Sequence, residues 1–249
     1  MRSLLTSLFL VLFTGFATAQ NFADMTDAET DAFGAAVRAY LLDNPEVIME
    51  AVAVLEQRQQ QEAAGNDLDL VAQYYDQIFH DGFSHVSGNP DGSIEIVEFS
   101  DYKCGYCKRA YPELLQLVEN NPDIRMVVKE YPILGAESVL AARAAIAVLV
   151  SEGDEAYARF HDTLMRESGP LTELSLPLIA EGLGLDSAKM VETMNSPLVT
   201  QMIQSNRTLG QQMQISGTPT YVIGTNMLRG YVPLAGMQQI VDEARTSLE

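Results

Sequence analysis

Phe99-Ser100-Asp101-Tyr102-Lys103-Cys104-Gly105-Tyr106-Cys107 contains both cysteines of the 249-residue chain. A pair this close can bridge only with itself, and it closes a loop too small to brace a fold efficiently, because disulfide stabilisation grows with loop length. The pair therefore reads as a redox reagent. Two alternatives stay open. A structural zinc site needs about four Cys or His ligands, and His80, His85 and His161 show no ligand spacing to the pair. An inert buried pair is the other, though the start of a helix behind a hydrophobic strand is a poor place for core filler.

The flanks support the redox reading. Residues 93–99 form a β-branched, mostly apolar run, and residues 108–120 carry apolar side chains at helical spacing, which puts the cysteines at a strand-to-helix junction. Free backbone N–H groups and the positive end of the helix dipole favour the thiolate of the first cysteine there.

The N-terminus has the three regions of a cleavable export signal: Met1-Arg2-Ser3, an apolar stretch over residues 4–16, and Ala17-Thr18-Ala19. Residues 1–19 are expected to be removed, with an uncleaved anchor as the alternative. Export would place the dithiol in a periplasm-like space, where disulfides persist. The formal charge of −19, which becomes −20 once Arg2 is removed, argues against nucleic acid and anionic membranes as partners.

Residues 27–61 read as two helices, interrupted at Asp43-Asn44-Pro45 and ending in a glutamine-rich tail. A third helix is expected over 66–79, followed by a turn at Gly88-Asn89-Pro90-Asp91-Gly92, with His80 and His85 in the linker. Beyond the cysteine helix, with Pro112 inside it as an expected kink, come a strand over 124–130 and a long helical stretch over about 137–213. Strands then return at 220–224 and 227–231, and a helix closes the chain at 233–248. Strand, helix, strand is a right-handed crossover in a parallel pair.

This order, with its Cys-x-x-Cys helix, resembles the thioredoxin fold with the helical insertion of the DsbA-like thiol:disulfide oxidoreductases. The resemblance covers about residues 88–248. Tyr40-Leu41-Leu42-Asp43-Asn44-Pro45-Glu46-Val47 and Lys129-Glu130-Tyr131-Pro132-Ile133-Leu134-Gly135 look like the exported branch with an added N-terminal region, the ScsC-like and "27 kDa outer membrane protein"-like members. The expected organisation is α/β: a signal peptide at 1–19, an N-terminal helical region at 20–87, and a thioredoxin-like domain at 88–249 with a helical subdomain inserted at about 137–213.

The resemblance implies that Cys104 is the exposed nucleophile, Cys107 the resolving cysteine, and Thr218-Pro219 the cis-proline position. Gly105 and Tyr106 would tune the thiolate. Cys-Gly-Tyr-Cys together with Thr before the proline is similar to the DsbC isomerases, which points to isomerase or reductase action; DsbA itself has Pro-His between its cysteines and Val before the proline. Glu98 matches a buried acid of DsbA and would pass protons to and from Cys107. Its strand parity with Ile94 and Ile96 points inward, and the other reading has it at the strand end in water or paired with Lys129. Tyr102 and Lys103 are expected at the surface, and His161 as a packing or polar residue. Met190, Met194 and Met202 are expected in the core.

Implied partners are exported proteins with cysteines and a membrane redox protein. A homo-oligomer through the N-terminal helices is also expected, from the stripe Phe33, Val37, Leu41, Val47, Ile48 and Leu55, with packing against the chain's own domain as its rival. No cofactor and no metal are expected. The runners-up are an oxidase recycled by a membrane partner and a protein that holds Cu(I) between the two thiolates.

Overall fold

The computed structural model describes residues 25–247, so the expected signal peptide lies outside the described residues. The chain divides into two compact units, 1–58 and 59–249.

In the first unit, α1 (Asp27–Asp43) begins with a capping box in which Thr26 accepts from the Glu29 backbone N–H and the Glu29 carboxylate accepts from Thr26 N–H. Asn44 ends it, and after Pro45 helix α2 (Glu46–Gln73) starts. Val37, Tyr40, Leu42, Ile48, Val52 and Leu55 are exposed, and α1 buries no side chain.

The expected break near Asn66 is absent. Helix α2 runs through Gly65 to Gln73, and only a short α3 (Tyr75–Phe79) follows. A glycine costs roughly 1 kcal/mol in a helix, too little to stop one flanked by Glu62-Ala63-Ala64 and Asp67-Leu68.

In the second unit the sheet has the order β1-β3-β2-β4-β5, formed by β1 (His85–Gly88), β2 (Ile94–Ser100), β3 (Ile124–Glu130), β4 (Thr220–Ile223) and β5 (Asn226–Arg229). Only β2 and β3 run parallel, joined by α4 (Gly105–Asn120). Strand β1 was not anticipated: four residues without apolar alternation give no strand signal, and His85 lies in it rather than in a linker.

The helical stretch resolves into α5 (Ala136–Glu152), α6 (Asp154–Arg166), α7 (Ser175–Gly182), α8 (Ser187–Met194) and α9 (Pro197–Gln212). Its breaks fall where the sequence is punctuated: Gly153 with φ of 86° between α5 and α6, and Ser196 capping α9 ahead of Pro197. Helix α10 (Leu234–Thr246) closes the chain.

One sheet face, bearing Ile94, Ile96, Met126, Val128, Tyr221 and Ile223, packs on α4 and α10. The other, with Val97, Phe99, Val127 and Val222, packs on Val71, Ile78, Phe79 and Leu209. The insertion has its own core, which reaches Cys104, Cys107 and Tyr111 and includes Met190, Met194 and Met202. This is a thioredoxin-like fold with an inserted helical subdomain and N-terminal helices.

Candidate active site

Strand β2 ends at Ser100, and Asp101 makes the turn into α4. Asp101 is buried; its Oδ1 accepts from Lys103 N–H at 2.8 Å, its Oδ2 from Ile133 and Leu134 N–H at 2.9 and 3.1 Å, and its backbone carbonyl from Cys104 N–H at 3.0 Å. One short carboxylate thus fixes both the cysteine turn and the Ile133-Leu134 loop. The sequence reading passed over this residue, although an aspartate two positions before a turn N–H is an Asx-turn signal.

Cys104 is the N-cap of α4, and its Sγ accepts from the backbone N–H of Cys107 at 3.3 Å. On its other side, Sγ lies 3.1 Å from the carbonyl oxygen of Thr218, and the Thr218–Pro219 peptide is cis. Both cysteines are free thiols; Cys104 retains 6% of its surface and Cys107 none. The expected exposed nucleophile is therefore a nearly covered one, open only as a small window.

The Cys107 thiol, hydrogen-bonded to Cys104, is the largest influence lowering the Cys104 pKa to about 6. Thr218 and the backbone N–H groups of Cys107 and Tyr106 assist, while burial opposes. Cys107 is pushed the other way, far above its ordinary value, by that same hydrogen bond, by burial and by the charge of Glu98.

Glu98 points inward from β2, wholly buried, opposite Tyr221 in the antiparallel register. Neither carboxyl oxygen has a hydrogen-bond partner, and the hydroxyls of Ser100 and Tyr221 face it without closing a bond of ordinary geometry. Burial raises its pKa to about 8; the Cys104 charge adds to this, and Ser100 and Tyr221 moderate it.

Lys129 does not pair with Glu98. In the parallel register Lys129 lies opposite Phe99 and Glu98 opposite Val128, so the two side chains leave opposite faces of the sheet. Lys129 Nζ is instead bonded to the Asp81 carboxylate and, at 2.8 Å, to the carbonyl of Gln77. A partner guessed from sequence was off by one residue of parity.

Gly105 and Tyr106 form the exposed first turn of α4. The ring of Tyr106 stacks on Tyr231 at 6.4 Å, and the Arg109 guanidinium lies 4.8 Å above Tyr231. Tyr231 follows Gly230, whose N–H donates to Pro219 O at 2.8 Å, so this aromatic group borders the Cys104–Thr218 cleft. Lys103 is half-buried and paired with Glu137 at 3.0 Å. Tyr102, expected at the surface, is 2% exposed, its hydroxyl bonded to Glu130 and to His161 of α6.

The arrangement holds a stabilised thiolate at a helix start, a protonated sulfur sealed behind it, a backbone carbonyl beside it and a buried acid beneath. Residues 95–242 match the family described as DSBA-like thioredoxin domain. The chain belongs to that family. Its residues 29–62 also match the copper resistance protein ScsC N-terminal domain.

Among solved structures, this DSBA-like chain is similar to a thioredoxin-like oxidoreductase from Silicibacter pomeroyi, at 39% identity over 69% of this chain and 97% of that one, with a TM-score of 0.65. It is also similar to BcfH of Salmonella enterica Typhimurium (27% identity; 88% and 96% covered; TM-score 0.74). A third is a periplasmic thioredoxin-like protein of the same organism (27%; 70% and 97%; 0.60). The chain spans about a quarter of the length of the first curated relatives it matches, the sodium/proton antiporters NhaA 1 of Salinispora arenicola and NhaA 3 of Salinispora tropica, at 24% and 25% of those proteins. Among the described residues no helix is long and apolar enough to cross a membrane.

Proposed function

We propose that this DSBA-like protein is an exported, periplasmic thiol:disulfide oxidoreductase that acts on protein disulfides and is weighted towards isomerisation and reduction. The observation carrying the reading is the placement of Cys104 Sγ, capped by the Cys107 N–H and 3.1 Å from the carbonyl of Thr218.

In the reducing direction the Cys104 thiolate attacks a client disulfide. A bond forms from Cys104 to one client sulfur, and the other client sulfur leaves as a thiolate and takes up a proton. From this mixed disulfide two exits exist. A client thiolate can attack and return Cys104 as thiolate, which rearranges client bonds with no net electron transfer. Alternatively Cys107 gives up its proton, bonds Cys104 and releases the second client thiolate, so that the client gains two electrons and the enzyme loses them. Glu98, raised to about 8, is suited to receive the Cys107 proton. An extended client segment would lie along the Thr218 backbone as an added strand.

A membrane redox protein would restore the dithiol after net reduction. Self-association of the N-terminal helices through their exposed apolar residues would hold several sites around one client. The reading is tested with scrambled and with reduced ribonuclease, using wild type, Cys104→Ser and Cys107→Ser. Isomerisation exceeding oxidation, abolished by Cys104→Ser, supports it. Faster oxidation than isomerisation selects the oxidase reading, and tight Cu(I) binding without activity on either ribonuclease selects the metal-holding one.

A further inference from the structure

Behind the redox centre sits a buried group that the exchange chemistry above leaves unused. Glu130, the last residue of β3, accepts through Oε1 from the hydroxyls of Tyr102 at 2.5 Å and Tyr157 at 2.6 Å. His161 Nδ1 lies 2.7 Å from the same Tyr102 hydroxyl, and since burial and His85 hold its pKa down at about 3, it stays neutral. With Tyr102 giving its proton to Glu130, the Nδ1–H tautomer of His161 completes the set.

Both phenols land on Oε1, so Oε2 can carry or release a proton without disturbing either bond. A cavity of about 10 Å³, the size of a single water, is lined by Glu130, His85, Tyr157 and Asn206. His85, its ring tilted against that of Tyr157 with centroids 4.7 Å apart, is bonded through Nδ1 to the exposed Asp154 at 2.7 Å, which leads to solvent.

The register ties this group to the active site. Glu98 pairs with Val128 and Ser100 with Glu130, so Glu98 and Glu130 leave the same face of adjacent strands, about 8 Å apart at Cα by strand geometry. Tyr102, which ties Glu130 to the cysteine turn, is two residues before Cys104. We propose that Glu130 is a second proton-exchanging carboxyl of the redox centre, a positioning residue that acts through Glu98, held by Tyr102 and Tyr157 and opened to solvent by His85 and Asp154.

The groups facing Glu130 are Glu98, Asp101 and Tyr102 from β2 and its turn, Tyr157 and His161 from α6, and His85 from β1; Asn206 of α9 donates to its backbone carbonyl at 3.2 Å. Burial raises Glu130 to about 8, the two phenols oppose this, and Asp101 and Glu98 add to it. Two carboxyls on one face, ionising in the same range, cannot both lose their protons independently. When the dithiol is oxidised, the Cys104 thiolate and the Cys107 sulfur join in the S–S bond, the Cys107 proton leaves through Glu98 to solvent, and two electrons pass to the acceptor, so the Cys104 negative charge is lost. Loss of that negative charge lowers the affinity of Glu98 for its proton, and the charge Glu98 then acquires raises the affinity of Glu130 for its own, so the pair gives up its protons in two macroscopic steps.

The inference rests on the thiol:disulfide reading, and the two are tested separately. Redox-difference infrared spectra in glutathione buffers, taken across pH, report protonated carboxyl groups. Wild type should lose protonated-carboxyl absorption on oxidation in two overlapping pH steps. Glu130→Gln should remove one step and move the other, that of Glu98, down by about half a unit to one unit. Tyr157→Phe, which removes one donor to the ionised form, should move the Glu130 step upward while far-ultraviolet dichroism and the Cys104 thiolate signal persist. Midpoints unmoved in folded Glu130→Gln, or a Glu130 step that persists unchanged in folded Glu98→Gln, overturn the proposal. If Glu130→Gln does not fold, Tyr157→Phe alone decides. A wild type that does not exchange with glutathione defeats the thiol:disulfide reading instead, and direct pH titration of the reduced protein then still decides whether Glu130 and Glu98 are coupled.

Discussion

Cys104 Sγ and the carbonyl oxygen of Thr218 lie 3.1 Å apart although 114 residues separate them in sequence. The thiol form of Cys104 donates to that carbonyl, whereas the thiolate is held by the Cys107 thiol and backbone N–H groups. The two ionisation states thus use different partners, and the balance between them is open to measurement.

Thiolate absorbance of the reduced protein should rise with a midpoint near 6. Cys107→Ser should change that midpoint, because the Cys107 thiol is its largest cause. The folded pKa lies below the ordinary value of 9.0, so ionisation stabilises the folded reduced protein increasingly from about pH 6 to 9, and this gain vanishes as pH falls through 6. Reduced protein should therefore melt above oxidised protein at pH 8, with the gap closing at pH 5. A gap that is constant with pH contradicts the assignment.

Glu98→Gln should raise the melting temperature. With the pKa lifted from 4.5 to about 8, the folded state withholds ionisation from a buried carboxyl that would ionise freely when unfolded. Stability present below pH 4.5 is lost as pH rises to about 8, a loss on the order of 5 kcal/mol. The variant should gain little at pH 4 and most at pH 8, while mixed-disulfide resolution by Cys107 slows. Equal gains at both pH values would show that Glu98 is not buried as a titrating acid.

Lys129→Met should unfold more easily, by about 1–3 kcal/mol, because the Asp81 carboxylate loses its cation and keeps only its bonds from Phe83 and Ser84. The Cys104 thiolate midpoint should stay unchanged, since Lys129 occupies the opposite face of the sheet from Glu98. A shifted midpoint would restore Lys129 to the redox centre.

Thr218→Val should fold normally, because Thr218 Oγ1 is buried without a hydrogen bond and the substitution replaces a hydroxyl with a methyl. Its position beside Cys104 should move activity towards oxidation of reduced ribonuclease and slow client release. Unchanged rates in both ribonuclease assays would remove Thr218 from the tuning set.

Deleting residues 20–58 should leave dithiol oxidation intact. If the exposed residues Val37, Tyr40, Ile48, Val52 and Leu55 join copies of the chain, light scattering will show an oligomer that becomes monomeric on deletion and loses isomerase activity. Full-length protein that is monomeric at tens of micromolar rules the assembly out.

Sequence determined whatever depends on local chemistry. Cys104-Gly105-Tyr106-Cys107 behind a β-branched run marks a dithiol at a helix start, Asp43-Asn44-Pro45 separates two helices, and Gly153 and Ser196-Pro197 break the insertion where the structure breaks it. These signals work because caps, prolines and apolar periodicity act within one or two turns of chain. What depends on pairing between distant strands was decided only by the tertiary structure. Strand β1 exists because β3 offers it an edge, and Lys129 misses Glu98 because the β2–β3 register sends them to opposite faces. Tyr102 is buried because α6 of the insertion brings Tyr157 and His161 over Glu130. Register has a period of two, so the sequence gives each strand's alternation but not the face its neighbour will present.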